Sequence, residues 1–257
     1  MVKSLIKKLA TTDLGIKFRN TFGIKPQIHS KNIPKSSSIS DAFAWRTDSS
    51  YKTKFKFMDI LDVFYDIKNS YVELKFYCKN NIFIKKIIIN ELDIFNEILI
   101  DKFFLDGVED YGVFYIYHHS KDKILENEII SNRCYLSYSH NDNLYSVVHG
   151  NNLVNYFINN TDTLGENITK TSLLNNQIYK IQKFFDDFDK TQLFFTNPIT
   201  EKINFLVNNK SFKLDGNCSI IIDIKNNEDT IIIKSNCAHL RPLVFNYKDD
   251  FIDVHHS

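Results

Sequence analysis

Histidine is the residue in this chain with the most scope for chemistry. There are eight: His29, His118, His119, His140, His149, His239, His255 and His256. All but His29 fall at the ends of strand-like runs or inside a stretch that occurs twice. Asp253-Val254-His255 sets a carboxylate and an imidazole on one strand face, because residues i and i+2 point to the same side. With His239, or His118, brought in by the fold, Asp253 and His255 would form a metal site, since neutral imidazoles and carboxylates are ordinary zinc ligands. A metal-dependent hydrolase is the reaction class this implies. No HxH or HExxH spacing accompanies it. The alternative is structural imidazoles hydrogen-bonded at strand ends.

A second constellation is Asp41-Ala42-Phe43-Ala44-Trp45-Arg46-Thr47-Asp48, which holds the only Trp. Trp45 has the flat face that stacks on a sugar or a base, and Arg46 and Asp48 supply polar groups for its edges. With His239, Arg241 and His255 they make up the candidate ligand-binding set. The competing reading puts Trp45 in a hydrophobic hollow, with Arg46 paired to Asp41 or Asp48. Nucleophilic signatures are weak. No GxSxG elbow occurs, and Ser131 and Ser235 suit turns or nearby backbone bonds. Cys134 and His149 would pair only if the fold juxtaposes them. Asp106, Glu109 and Asp110 form an acidic loop, which reads as solvated. GxGxxG, P-loop and EF-hand patterns are absent, so no catalytic residue and no cofactor is assigned.

Positioning these groups falls to strands. Asn80-Asn81 and Asn208-Asn209 turns separate alternating runs, predicting hairpins over 71–89 and 203–214. Another hairpin is predicted from 219–224 and 230–234. Met58 to Asp66 predicts one or two helical turns. The doubled stretch runs Ser131-Asn132-Arg133-Cys134-Tyr135-Leu136 to Val147-Val148-His149, and again Ser235-Asn236-Cys237-Ala238-His239-Leu240 to Asp253-Val254-His255-His256. It predicts an internal duplication. The expected fold is all-β: two tandem β-sandwich modules, immunoglobulin-like in the generic sense, after a short basic amphipathic N-terminal helix. The expected boundaries are a helix and linker over 1–40, modules over 41–155 and 177–257, and a linker over 156–176.

Composition narrows the partners. Hydrophobic residues make up 43% of 257, enough for a real core, while only seven glycines argue against phosphate-cradling loops. The four cysteines, Cys78, Cys134, Cys218 and Cys237, lack CxxC spacing and suit buried free thiols. Residues 1–36 carry eight basic side chains against Asp13, a net +7, so the +1 chain has a body of −6. Val2, Leu5, Ile6 and Leu9 at helical spacing among lysines fit an anionic membrane surface contacted through residues 1–25. Nucleic acid suits the acidic body poorly. Without a secretory signal or a long apolar run, the expected location is cytoplasmic, peripheral to the inner face of a membrane. Its sequons at Asn159, Asn167, Asn209 and Asn217 would then be silent. The expected function is a non-catalytic binding or accessory protein for carbohydrate or protein, tied to surface-polysaccharide handling. A metal-dependent hydrolase is one alternative. A structural partner docked through its N-terminal helix is the other.

Overall fold

A computed structural model describes residues 37–121, 129–131, 134–150, 153–158, 166–168, 177–182, 188–224, 230–235, 237 and 240–256, together with Leu14 and Thr21. The expected basic N-terminal helix, apart from Leu14 and Thr21, and residues 159–165 and 169–176 of the expected linker lie outside these residues. The fold is nearly all β, built from small sheets. In chain order, the strands of the N-terminal half begin with β1 (Ser37–Asp41), β2 (Phe43–Arg46), β3 (Tyr51–Met58), β4 (Ser70–Cys78), β5 (Phe83–Ile89) and β6 (Phe95–Ile100). They continue with β7 (Tyr111–Ser120), β8 (Ile129–Ser131), β9 (Tyr135–His140), β10 (Ser146–His149), β11 (Leu153–Ile158) and β12 (Glu166–Asn167). The C-terminal half holds β13 (Gln177–Gln182), β14 (Lys190–Thr196), β15 (Ile203–Val207) and β16 (Lys210–Leu214). After them come β17 (Ser219–Ile224), β18 (Thr230–Ser235), β19 (Leu243–Lys248) and β20 (Phe251–His256).

The strand orders of the two halves match. The N-terminal half forms sheets β2-β7-β4-β5 and β10-β9-β3-β6. The C-terminal half forms β13-β18-β15-β16 and β20-β19-β14-β17, so strand for strand β2, β3, β4, β5, β6, β7, β9 and β10 correspond to β13 to β20. These four sheets sit in a propeller-like arrangement. Consecutive strands nevertheless cross between sheets: β3 and β4, like β14 and β15, belong to different ones. A fifth sheet, β12-β11-β1-β8, caps the N-terminal half, and its β1–β8 pairing is parallel. The short helix α1 (Ile60–Tyr65) follows Asp59, whose Oδ1 accepts from the amides of Leu61 and Asp62 at 3.1 and 3.2 Å. That is ordinary N-capping.

Among the described residues there are two large hydrophobic cores and a small cluster of Ile60, Leu61, Ile67 and Ile130 around α1. One fills the N-terminal half around Phe43, Trp45, Phe55, Phe76 and Phe114, and it continues through Phe194, Leu243, Phe245 and Val254 of the other half. The second lies within the C-terminal half and takes Leu193, Phe195 and Val244. Neighbours along β14 and β19 therefore enter different cores. The unbroken run Leu193-Phe194-Phe195 is the signature of a strand covered on both faces.

Three local expectations change. The serine run expected as linker begins a strand at Ser37. The Ser38 and Ser40 hydroxyls accept from the amides of His118 and Ile116 on β7, at 3.0 and 2.9 Å. Buried backbone donors need such partners, and serine supplies them where no ladder forms. Strand β11 pairs with β1 and crosses the start of the expected linker. The segments 219–224 and 230–235 form no hairpin: β17 pairs with β14, and β18 with β13 and β15. Local alternation cannot tell a hairpin from a connection that arches between sheets. The hairpins over β4–β5 and β15–β16 form as expected.

Candidate functional site

A dense polar cluster surrounds Arg46, at the end of β2. The chain turns there through Ser49 and Ser50, both with positive φ, into β3. Arg46 is 2% exposed. Its Nε and Nη2 donate to the two carboxylate oxygens of Asp48, at 2.9 and 2.7 Å. Its Nη1 crosses to the other half, donating to Gln192 Oε1 at 3.0 Å and to the Tyr247 hydroxyl at 3.1 Å. The guanidinium lies 3.9 Å from the centre of the Tyr51 ring and 5.1 Å from that of Phe245. Tyr51 donates to Tyr247 at 2.5 Å, and Tyr247 donates to Gln192. Gln192 Nε2 in turn donates to Asp223 at 2.9 Å. Burial acts to lower the Arg46 pKa, but the Asp48 bond and neighbouring groups outweigh it and hold the guanidinium charged. Burial raises the Tyr51 pKa, which keeps its hydroxyl protonated as a donor. His140 packs its ring on Tyr51 and Tyr247, and its pKa falls through burial and then through the Arg46 charge.

This constellation can hold two β layers together. With four hydrogen bonds made and aromatic rings against it, the guanidinium is committed to internal partners. Trp45 likewise has no exposed ring face: it is fully buried and donates from Nε1 to the Tyr77 carbonyl at 3.0 Å. Stacking on a ligand needs an open face, and of the two sequence readings this geometry matches the one with Trp45 in a hydrophobic hollow and Arg46 in a bidentate ion pair. Asp48 is the partner that Arg46 takes.

The second cluster joins the ends of the doubled stretch. The edge strands β10 and β20 lie side by side. The rings of His149 and His256 are 4.2 Å apart, and His256 Nε2 bonds the His149 carbonyl at 2.8 Å. The Val254 amide donates to Ser146 Oγ at 2.8 Å. Burial pushes the His256 pKa down to about 4, the backbone bond to His149 opposes this, and the charges of His149, Arg241 and His255 lower it further. His255 Nδ1 and Asp253 Oδ2 are 3.1 Å apart, which depresses the Asp253 pKa, and Asn246 also donates to this carboxylate at 3.4 Å.

Of the expected metal trio, the described residues include the Asp253–His255 pair. His239 lies outside the described residues, and His118 and His119 are buried on β7 of the N-terminal half. Among the described residues no three His, Cys, Asp or Glu side chains converge as a metal site would require. Arg241 is half-buried just before β19. Ser235 Oγ accepts from the Cys237 amide at 3.0 Å, a turn bond. Cys134 is a buried thiol whose pKa is raised by burial and by Asp41. Asp106 and Asp110 pair with Lys85 and Lys79. Sequence reading missed Tyr51, Gln192 and Tyr247, which no local pattern singles out. Gln192 lies 146 positions from Arg46, and only the fold brings them together. Compared with known proteins, the chain matches no family model and no curated protein sequence.

Proposed function

We propose that this protein is a non-catalytic binding protein, a rigid tandem of two duplicated β-sandwich modules that presents its outer surface to a partner protein. The matching strand orders of the two halves support the duplication and the tandem. The observation that carries the functional reading is the Arg46 cluster: the side chains best suited to chemistry are spent in joining the modules. The outer surface is chemically different. Phe83, Ile88, Ile94, Phe95, Leu99 and Phe103, on and beside β5 and β6, are all exposed, with Phe95 at 74% and Phe103 at 78%. Apolar surface concentrated along one pair of edge strands is characteristic of protein contact. Cross-linking mass spectrometry on protein purified from its native cells tests this. Cross-links from Lys85, Lys86 and Lys102 to one co-purifying protein are expected. Cross-links scattered over the surface would overturn it.

A carbohydrate reading draws on a separate feature. On the outward face of β9, Tyr135 is exposed opposite His149 on one side and Lys56 on the other, an aromatic face with polar flanks. Binding on a glycan array that is lost in Tyr135→Ala would favour it. The hydrolase reading keeps the Asp253–His255 pair, and stoichiometric metal in untagged protein, measured by mass spectrometry, would favour that reading instead. No helix among the described residues is long and apolar enough to cross a membrane. Attachment through residues 1–25 to an anionic surface forms part of the proposal. Co-sedimentation with anionic liposomes, lost on deletion of those residues, tests it.

A further inference from the structure

The two halves share strand order but differ in the length and composition of one connection. In the N-terminal half, the connection from β6 to β7 is the ten-residue segment Asp101–Asp110. It folds back over the gap between β5 and β6. Leu105 is fully buried, and Phe104 and Val108 pack on the same core. The Phe104 ring meets Phe76 of β4 edge-on, with centroids 5.8 Å apart. From β5, Lys85 Nζ donates to the Phe104 carbonyl at 3.0 Å and to the Asp106 carboxylate at 2.8 Å. The half thus closes its own mouth with Phe-Leu held by a lysine.

In the C-terminal half, the corresponding connection from β17 to β18 is five residues, Lys225-Asn226-Asn227-Glu228-Asp229, without an apolar side chain. Beside β16 and β17 lies a cleft of ≈ 440 Å³, lined by the apolar Val207, Phe212, Ile220, Ile222 and Ile224 and by Lys210 and Asp223, one cation and one carboxylate. That volume falls within the roughly 300–1,000 Å³ typical of ligand pockets. Lys210 opens β16 opposite Val207, two residues before Phe212, whereas Lys85 stands third in β5 opposite Phe76.

We infer that this cleft is a peptide-binding site for a partner segment that reproduces the closure of the other half: two adjacent large apolar side chains, with a carboxylate two residues after the first. The apolar pair fills the space between β16 and β17. Lys210 takes the carboxylate and the carbonyl, as Lys85 takes those of Asp106 and Phe104. The inference rests on the two-module reading and names the chemistry of the partner.

The test uses the full chain and a fluorescein-labelled synthetic peptide of residues 101–110, DKFFLDGVED, read by fluorescence anisotropy. Saturable binding is expected, weakened about fivefold by Lys210→Glu, the scale of an exposed ion pair. Replacing Phe104 and Leu105 of the peptide by Ser should weaken it at least about 100-fold, since two large apolar side chains leave the cleft. Lys210 is exposed, so its substitution leaves the fold intact. Ile224→Arg, with circular dichroism to verify folding, obstructs the cleft directly. Absence of binding up to millimolar peptide, or binding indifferent to Lys210→Glu and Ile224→Arg alike, overturns the inference. Displacement by a fatty acid and not by apolar peptides would make the cleft a lipid site and overturn it. The cross-links along β5 and β6 are unaffected by any of these outcomes, so failure here is distinct from failure of the functional proposal.

Discussion

Removing Asp48 should harm the fold more than removing Arg46, although the two form one ion pair. The Arg46 side chain is 3% exposed and that of Asp48 23%. Asp48→Asn leaves a guanidinium buried between the two halves of the chain with its opposing charge gone. Breaking a buried pair in this way costs about 3–5 kcal/mol, and the partial exposure of Asp48 sets the lower end, about 3 kcal/mol. Arg46→Met removes the buried charge itself. Asp48 then reaches water, and the Tyr247–Gln192 hydrogen bond remains. The loss is the stacking on Tyr51 and the bonds to Arg46, about 1–2 kcal/mol in total. For a chain of this size 1 kcal/mol shifts Tm by about 2–4 °C. Differential scanning calorimetry should therefore place Asp48→Asn about 6–12 °C below the parent protein, and Arg46→Met about 2–8 °C below it. The reverse order would refute the assignment of Arg46 as a buried, internally compensated charge.

The remaining expectations concern packing and protonation. Burial lowers the pKa of His118 to about 3 and that of His256 to about 4, against an ordinary histidine value near 6.5. The unfolded chain then binds more protons than the folded one below about pH 6.5. Stability is complete above that pH and is lost as pH falls towards 4, and His256→Gln should flatten part of this dependence in urea titrations at pH 7.5 and pH 5. Trp45 is the only Trp and is fully buried in the N-terminal core, so its emission should be blue-shifted in the native protein and should report unfolding of that half. Trp45→Phe leaves the Tyr77 carbonyl without its donor and should cost about 1–3 kcal/mol by chemical denaturation. Gly112→Ala would set a methyl group 2.1 Å from the Tyr77 carbonyl oxygen, a backbone atom in the adjacent strand, and should lower Tm more than any of these.

Secondary structure was legible wherever local chemistry decides it. Asn208 and Asn209, both at positive φ, close the β15–β16 hairpin that their sequence announces. Val72, Leu74 and Phe76 alternate into the core, as period-two patterning requires. Ser38 and Ser40 were not legible, because their burial depends on β7, whose amides they satisfy from 80 and 76 positions away. The 219–234 pairing failed for the same kind of reason. Both strands have the right composition, and the choice of partner lies with β14, β13 and β15.

The amino-acid sequence by itself determined the β class, the turn positions and the doubled Ser-Asn…Val-His stretch, since side-chain alternation and turn chemistry act over a few residues. Tertiary structure alone decided what that stretch does. It brings the ends of the two copies together, with His149 against His256 at the junction of β10 and β20. It also decided the roles of Trp45 and Arg46, because an indole or a guanidinium serves a ligand or a core according to what covers it. The groups that cover Arg46, namely Tyr51, Phe245, Gln192 and Tyr247, come mostly from the other half of the chain. Burial and charge compensation are properties of that assembled environment, and a local pattern does not contain them.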